Sequence, residues 1–345
     1  MYSCLGNIHI HSAYSDGTSS IPQIAKEAAE AGLHYIIITD HNTLTGLGEE
    51  GYYDNVLVLC GSEINMQKNH YLALNIKKEI PPNDDNPQQV IDAVNSQNGL
   101  GFIAHPYEKG SPLVLKGKTY PWTDWDATDF AGIEVWNWSS QWRDGAQNIP
   151  CGLYYAYLNP AGPITGPHPQ AMARFDEITQ TKKITAIAGS DAHNWPIRYG
   201  PVRRDIFPYG YLFRTACNNL LLQEPLSRDV STAKSQIYNA LRHGRSFIVN
   251  RLLGDADGFA FTATSKETEY HIGNDVPLND MTVLNIQCPD KHSGNLSFRI
   301  FQNGSILDEI NRCSVSVRVY EPGTYRLEVR QRSKPWIFTN PIYIH

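Results

Sequence analysis

The first two thirds of the chain alternate short apolar runs with helical patterns, and this alternation restricts the fold more than any other feature of the sequence. Residues 35–39 form a largely β-branched run, which is typical of a strand covered on both faces. Ser20 and Pro22 favour the start of a helix, and Gly32 favours its end. Strands and helices in alternation predict an α/β domain. The other predicted strands are 56–59, 71–76, 102–104, 132–136 and 184–188, and the other predicted helices are 87–97 and 233–242.

From about Gly254 the pattern changes to short runs that alternate apolar and polar residues, such as 296–300 and 325–329. Turn signals such as Asn303-Gly304 separate these runs. Their spacing predicts a small all-β sandwich. A chain of 345 residues also exceeds the usual size of one domain. The predicted domains are therefore residues 1–253 and 254–345.

Composition excludes several classes of protein. With 29 Lys and Arg against 35 Asp and Glu, the net charge is −6, which argues against a protein held on nucleic acid mainly by phosphate contacts. The six cysteines include no CxxC pair, so neither a cysteine zinc site nor a disulfide scaffold is indicated. No apolar stretch approaches the length of a membrane span, and too few residues precede Asn7 for a secretory signal. We therefore expect a cytoplasmic protein, with a trimmed exported precursor as the alternative.

Polar side chains directly follow most of the apolar runs. Residues just past the carboxyl ends of parallel strands converge on one face of a sheet or barrel, so we expect these side chains to gather. His9 and His11 lie two residues apart, and in an extended segment both side chains point to the same side. Imidazole and carboxylate groups at this density suit Zn²⁺, Mn²⁺ or Fe ions, whereas Ca²⁺ prefers oxygen ligands. The nine predicted ligands are His9, His11, Asp16, His41, Glu63, His70, His105, Asp191 and His193.

A structural interpretation competes with this one, because a single histidine at a strand end is more often hydrogen-bonded structure than a ligand. Six histidines and three acids, all at strand ends or in the loops beside them, together favour the metal site. Among other polar residues, Arg198 is predicted either to bind a substrate phosphate or to lie in a solvated loop. Asp40 is predicted to orient an imidazole, and Glu134 either to support a ligand or to face the substrate. Five tryptophans between residues 120 and 142 form either core packing, which we favour, or an apolar wall for a leaving group.

The polar strand ends form an ordered set of motifs: His9-Ile10-His11, Ser15-Asp16-Gly17, Thr39-Asp40-His41, Gly61-Ser62-Glu63, Ala104-His105-Pro106 and Ser190-Asp191-Ala192-His193. The order of these motifs resembles that of the PHP (polymerase and histidinol phosphatase) superfamily over about residues 5–250. The resemblance implies a distorted seven-stranded (β/α) barrel with up to three metals at its mouth, followed here by the β-sandwich. Residues 132–137 and 338–342 resemble the carbaryl-hydrolase and microcin-associated (CehA/McbA) branch.

The resemblance also implies how the nine residues divide among two or three divalent metals. Glu63 would bridge the first two metals. His70 is either a ligand of the second metal or a hydrogen-bonding neighbour of a ligand. The implied sets are His9, His11, Glu63 and Asp191 for the first metal, Glu63, His70 and His105 for the second, and Asp16, His41 and His193 for the third.

The function that these residues predict is hydrolysis of a small phosphate ester by a metal-activated hydroxide. Asp191 and His193 would be catalytic, and the leaving group would take its proton from His193 or from a metal-bound water. Hydrolysis of a carboxylic ester or carbamate at the same metals is the alternative. A barrel that binds metal or ligand without turnover is the third hypothesis, and the complete ligand set argues against it. Nothing in the late β region indicates a partner.

Overall fold

The structure, a computed structural model, describes residues 1–199, 202–288, 296–312 and 314–345. The helices are α1 (Ile21–Glu30), α2 (Pro87–Ser96), α3 (Trp138–Gly145), α4 (Ile149–Tyr157), α5 (Pro169–Thr179), α6 (Tyr209–Leu212) and α7 (Val230–Arg242). The earlier strands are β1 (Tyr2–Ile8), β2 (Tyr35–Ile38), β3 (Gly51–Tyr53), β4 (Val56–Cys60), β5 (Ser62–Ile64), β6 (Tyr71–Leu74), β7 (Leu100–Ile103), β8 (Gly132–Asn137), β9 (Thr185–Gly189), β10 (Trp195–Tyr199), β11 (Val202–Ile206), β12 (Ala216–Leu222) and β13 (Ser246–Asn250). The later strands are β14 (Ala260–Ser265), β15 (Thr268–His271), β16 (Asp275–Val276), β17 (Val283–Gln287), β18 (Leu296–Gln302), β19 (Ser305–Ile310), β20 (Ser314–Arg318), β21 (Gly323–Gln331), β22 (Lys334–Thr339) and β23 (Ile342–Ile344).

Local sequence accounts for the first βα unit. The backbone N–H of Ser20 donates to the Gln23 side chain at 3.0 Å, which supplies half of a capping box at the start of α1. Ile24, Ala25 and Ala28 lie on one helical face and are fully buried. That face packs on β2 and β4, whose residues are all buried. Each strand and helix predicted in the first two thirds of the sequence is confirmed to within a few residues.

Two sheets carry the polar strand ends. One contains the neighbours β3, β4, β2, β1, β12 and β13, and the other runs β5, β6, β7, β8 and β9. The sheets meet where His41 pairs with Glu63 and where Ile10 pairs with Ala192. The pairs β1–β2, β2–β4, β7–β8 and β8–β9 are parallel, so their carboxyl ends lie at one end of the molecule. This arrangement brings residues that are distant in sequence together at the carboxyl ends of the parallel strands.

The late region continues the larger sheet. β22 pairs antiparallel with β13, for example through Ile248 and Phe338. β21, β23, β18 and β19 extend the sheet from β22, while β14, β15, β17 and β20 form a separate four-stranded sheet. Asn340 follows β22, and its side chain hydrogen-bonds the backbone N–H and carbonyl oxygen of Ala186 in β9 at 2.7 and 3.1 Å. The late strands are therefore in direct contact with the sheets that carry the polar ends.

The architecture is mixed α/β, as the alternation of strands and helices predicts. The late apolar runs 296–300 and 325–329 fall on β18 and β21. β22 and its pairing with β13 are not predicted by the sequence pattern. In the described ranges, none of the helices is both long and apolar enough to cross a membrane.

Candidate metal centre

Strand direction explains why the nine predicted ligands meet. His9 follows β1, His105 follows β7 and Asp191 follows β9, all at the carboxyl ends of the strands. His70 precedes β6, and because β6 runs antiparallel to β7, its start lies at the same end. The φ angles of His9, His105 and Asp191 are 66°, 26° and 51°. Left-handed backbone is costly for non-glycine residues and persists where the surroundings fix it, often at functional sites.

Glu63 lies at the centre of the site and is 1% exposed. Burial by itself would raise the pKa of Glu63, but attraction to the surrounding imidazoles, led by His9 and His41, holds that pKa well below its ordinary value. The carboxylate is therefore charged, and five imidazoles surround it. From Oε1, Nδ1 of His70 lies at 2.7 Å and Nε2 of His105 at 3.2 Å, and from Oε2, Nδ1 of His41 lies at 3.1 Å, Nε2 of His9 at 3.2 Å and Nε2 of His11 at 3.4 Å.

The other two acids complete the surroundings of the imidazoles. Burial opposes ionisation of Asp16, but hydrogen bonds to His193 and His41 lower the pKa of this carboxyl far below its ordinary value. Asp191 is held ionised in the same way, mainly by His9 and His11. From Asp16 Oδ1, Nε2 of His193 lies at 3.2 Å and Nε2 of His41 at 3.6 Å, and from Asp191 Oδ1, Nε2 of His11 lies at 3.3 Å and Nε2 of His9 at 3.5 Å.

Within the described residues, three groups have ligand atoms within 4.8 Å of one another: His11, Asp16, His41 and His193; His9, Glu63 and His105; and His9, His11 and Asp191. Compared with the sets that the family resemblance implies, the first group adds His11, the second has His9 in place of His70, and the third lacks Glu63. His70 is outside the three groups, although its Nδ1 is 2.7 Å from Glu63 and its ring stacks on Tyr120 at 4.4 Å.

The buried nitrogens at the site match what a metal ion requires. Burial and the nearby His193 lower the pKa of His11 to about 4, so its imidazole is neutral and has a free lone pair. Removing polar atoms from water without a partner is costly, and a cation would satisfy them. The residues therefore fit divalent metals. The imidazole nitrogens that are buried without a hydrogen-bond partner are Nδ1 and Nε2 of His11, Nδ1 of His41, Nε2 of His70 and Nδ1 of His105.

Glu134 supports two of the predicted ligands. Its Oε1 lies 2.8 Å from Nδ1 of His9, and its Oε2 accepts the backbone N–H of His105 at 2.8 Å. Asn137 Nδ2 donates to the same Oε2 at 3.1 Å. A Cβ at Gly189 would lie 1.7 Å from Glu134 Oε1, so only glycine at the end of β9 allows this approach. Of the two roles that the sequence left open for Glu134, the contacts favour support of a ligand.

Asp40 differs from its predicted role. Its carboxylate accepts hydrogen bonds from the Ser12 backbone N–H at 2.7 Å and from the Ser12 and Ser15 hydroxyls, both at 2.6 Å. Asp40 thus shapes the turn that carries Asp16, rather than orienting an imidazole. The reason is that the chain between His11 and Asp16 folds back over the end of β2 and presents its own donors first.

Sequence analysis missed a charged pair beside the centre. Glu108 accepts hydrogen bonds from Arg143 Nη2, the Tyr120 backbone N–H and the Ser140 hydroxyl, and its Oε2 lies 3.6 Å from Nδ1 of His105. The position of Glu108, three residues after a motif histidine, was the available signal. Arg198 lies in β10, and its side chain is outside the described part of the structure.

A cavity of about 470 Å³ opens over the metal-binding side chains and is lined in part by Asp16, Glu63 and His193. Of the five tryptophans between residues 120 and 142, Trp142 lines this cavity. Trp122, Trp136 and Trp138 are at most 3% exposed and belong to the core, as favoured from the sequence.

Comparisons with known proteins place these observations in a family. The PHP domain family matches residues 7–128, which include all the predicted ligands except Asp191 and His193. An uncharacterized protein of Methanocaldococcus jannaschii is 31% identical over 158 residues, which cover 41% of this chain and 85% of that protein. A phosphoribosyl 1,2-cyclic phosphate 1,2-diphosphodiesterase of Eggerthella lenta is 31% identical over 84 residues, 22% of this chain and only 32% of that enzyme. A two-domain protein of Bacteroides vulgatus containing a predicted PHP-like metal-dependent phosphoesterase has a TM-score of 0.46 at 15% identity, with 99% of this chain and 95% of that chain covered.

Proposed function

This chain belongs to the PHP domain family, and we propose that it is a metal-dependent hydrolase that cleaves a small phosphate ester. The observation that carries the proposal is the set of buried imidazole nitrogens without hydrogen-bond partners around the ionised Glu63. Their position at the base of a cavity gives a substrate access to the same groups. The name of the Eggerthella lenta relative, a diphosphodiesterase, supports phosphate as the reacting group.

We infer that two or three Zn²⁺, Mn²⁺ or Fe ions would be held by the three groups of ligand atoms. Glu63 would be a ligand shared by the metals that the resemblance assigns to His9 and to His105. Bound metals would lower the pKa of a water molecule and neutralise charge on the ester oxygens. Glu63 and Asp191 supply negative charge that offsets the cations. Glu134 holds His9 with Nδ1 protonated, which leaves Nε2 free to face the metal.

Asp191 and His193 are the proposed catalytic residues. His193 Nδ1 lies 2.9 Å from the backbone oxygen of Asp191, which fixes this nitrogen as the donor and directs Nε2 toward Asp16. His193 lines the cavity, so it can contact the leaving group. If the group of His11, Asp16, His41 and His193 holds a metal, Nε2 of His193 would be one of its ligands. Without a metal in that group, protonated Nε2 would be a proton donor. Arg198 remains a proposed contact of the substrate phosphate.

Finer features of the fold are also proposals. We propose that β1, β2, β4, β6, β7, β8 and β9 form the distorted seven-stranded barrel, because the pairs Ile10–Ala192 and His41–Glu63 join the two sheets. The proposed sandwich comprises the separate four-stranded sheet and the late strands of the larger sheet, within residues 254–345. Membership of the CehA/McbA branch is likewise a proposal, which rests on the resemblance of residues 132–137 and 338–342.

Metal analysis together with hydrolysis assays tests the function. The protein, reloaded with Mn²⁺ or Zn²⁺, is assayed on para-nitrophenyl phosphate, bis-para-nitrophenyl phosphate and para-nitrophenyl acetate. We expect bound metal and hydrolysis of a phosphate ester, both reduced in Glu63→Gln, with activity falling by at least about 100-fold. The reason is that an amide lacks the negative charge that five imidazoles surround, and it offers one acceptor oxygen in place of two.

Glu309→Gln is the matched control, since Glu309 is an exposed glutamate on β19 that pairs with Arg299. This variant should retain both metal and activity. Hydrolysis of para-nitrophenyl acetate alone would replace the proposal with a carboxylic-ester hydrolase. Full metal occupancy with no hydrolysis of any of the three substrates would instead favour a binding protein.

A further inference from the structure

The cavity has two chemically different parts. Its base is formed by the histidines and acids of the candidate metal centre, whereas its walls include the apolar side chains of Leu113, Trp142, Phe207 and Leu212. The rings of Trp142 and Phe207 meet edge to face with centroids 4.8 Å apart, so this part of the wall is packed and preformed. A substrate whose phosphate reaches the base must place its alcohol part against this wall.

Charge in the upper cavity is already neutralised. Among the described side chains of the cavity lining, the charged groups outside the candidate metal centre are Glu108 and Arg143, and they pair with each other. Glu108 also accepts two further hydrogen bonds, from Tyr120 and Ser140. A second phosphate or a carboxylate on the alcohol part would therefore have to compete with Glu108 for Arg143.

The apolar surface continues outside the cavity. Leu113 lines the cavity and is 43% exposed, and a Cβ on Gly152 of α4 would lie 2.9 Å from its Cδ1. α4 thus packs beside the mouth. Ile149, Leu153 and Tyr157 lie on one helical face at four-residue spacing and are 64%, 55% and 38% exposed. Residues 145–173 contain no Asp, Glu, Lys or Arg, so no charge interrupts this surface.

We propose that the substrate is a phosphate ester of an apolar alcohol, whose alkyl or aryl part lies along Trp142 and Phe207 and leaves the cavity past Leu113 toward α4. The proposal rests on the proposed function for the reacting end and adds the class of the leaving group. Apolar area removed from water drives such binding, at about fourfold in affinity for each methylene that becomes buried.

A series of n-alkyl phosphates tests the proposal. Hydrolysis of methyl, butyl and octyl phosphate by the metal-loaded protein gives kcat/KM against chain length, and calorimetry with methylphosphonate and octylphosphonate measures binding without turnover. We expect kcat/KM to rise by about 60-fold from methyl to octyl phosphate. This increase corresponds to burial of three of the added methylenes, at about fourfold for each. Octylphosphonate should bind more tightly than methylphosphonate by a similar factor.

Variants at the mouth locate the effect. Leu113→Asp and Leu153→Asp should each lower the octyl-to-methyl ratio of kcat/KM by about tenfold, because a charge must then lose water beside the chain. Leu307→Asp on β19 is the matched control, since Leu307 is exposed to a similar degree, 46%, and lies away from the cavity. It should leave the ratio unchanged. Retained metal content in each variant shows that the fold is intact.

The outcomes separate the two proposals. Equal hydrolysis of methyl and octyl phosphate, with equal binding of the two phosphonates, would overturn the apolar substrate class and leave the phosphoesterase standing. Tighter binding of octylphosphonate without hydrolysis of any phosphate ester would overturn the phosphoesterase and keep the apolar site. If Leu113→Asp and Leu153→Asp both prefer the octyl chain as strongly as the unmodified protein does, the alcohol part lies elsewhere and the proposed path is overturned.

Discussion

Glu134 shows how a residue that holds no metal in the proposed sets can control those that do. Both of its oxygens are occupied, one by Nδ1 of His9 and the other by the backbone N–H of His105 and the amide of Asn137. The carboxylate thereby fixes the tautomer of one predicted ligand and the backbone of another. Since this side chain is 1% exposed, water cannot replace either contact.

Glu134→Gln should weaken metal binding by about 10- to 100-fold. If the amide NH₂ takes the place of Oε2, it faces the N–H groups of His105 and Asn137. If it takes the place of Oε1, it donates to Nδ1 of His9 and leaves the proton on Nε2, where the metal must bind. Competition with a chelator of known affinity measures the loss.

Glu50→Gln provides the control, because Glu50 is a partly buried acid that pairs with Lys234 outside the cavity lining. Unchanged metal affinity in Glu134→Gln would show that the tautomer of His9 is set by another group.

At the scale of single residues, the sequence predicted the nine side chains of the centre because motif spacing and strand ends are local properties. It could not predict that Asp40 binds Ser12 and Ser15, since that contact depends on how the following turn folds back. Glu108 was missed for the same reason: its partners Tyr120 and Arg143 come from later segments.

At the scale of elements, a buried ion pair joins α5 to β21. Arg326 is 3% exposed, and its Nε and Nη2 donate to the two carboxylate oxygens of Asp176 at 2.6 and 2.8 Å. Its Nη1 donates to Glu328 at 2.8 Å. Such bidentate geometry fixes the orientation of a helix on a strand.

Asp176→Asn should lower the free energy of unfolding by about 3 kcal/mol. The reason is that the buried Arg326 keeps its charge but loses one of the two carboxylates that pair with it. Denaturant unfolding followed by circular dichroism measures the change. Glu177→Gln, one residue along the same helix, removes an exposed pair with Arg174 and should change stability by less than about 0.5 kcal/mol. Equal effects of the two substitutions would contradict a specific role for the buried pair.

Elements were predictable where the apolar pattern was strong and less so elsewhere. α4 has no buried residue, and because nearly all of its side chains are apolar, the sequence shows no contrast between a core-facing and a polar face. β22 begins with Lys334 and Pro335, and its partner β13 lies some 90 residues earlier along the chain. Periodicity predicts a strand but not its neighbour, which explains why this pairing was missed.

At the scale of the whole molecule, one sheet runs from the strands of the candidate centre into the late region. The pairing of β13 with β22 covers an edge that would otherwise be open, and Trp336 and Ile337 are fully buried there. The predicted division into residues 1–253 and 254–345 stays a prediction. Because the sheet is continuous across this boundary, removal of residues 254–345 tests the predicted division.

A fragment of residues 1–253 should be less stable than the full chain and prone to aggregation, because β13 becomes an exposed apolar edge strand. Size-exclusion chromatography and thermal unfolding measure both properties, and the full chain should unfold in one cooperative transition. A monomeric fragment that binds metal and unfolds at the same temperature as the full chain would show that the late region contributes no stability to the first.

The sharing of Glu63 among five imidazoles has a consequence for how such a protein diverges. No single substitution of Glu63 preserves every contact, so the base of the cavity cannot change one residue at a time without loss of the site. The far wall is not under this restriction, because Leu113 or Phe207 can be replaced without disturbing a metal-binding side chain. New specificities would therefore arise at the wall, one side chain at a time, above chemistry that stays constant.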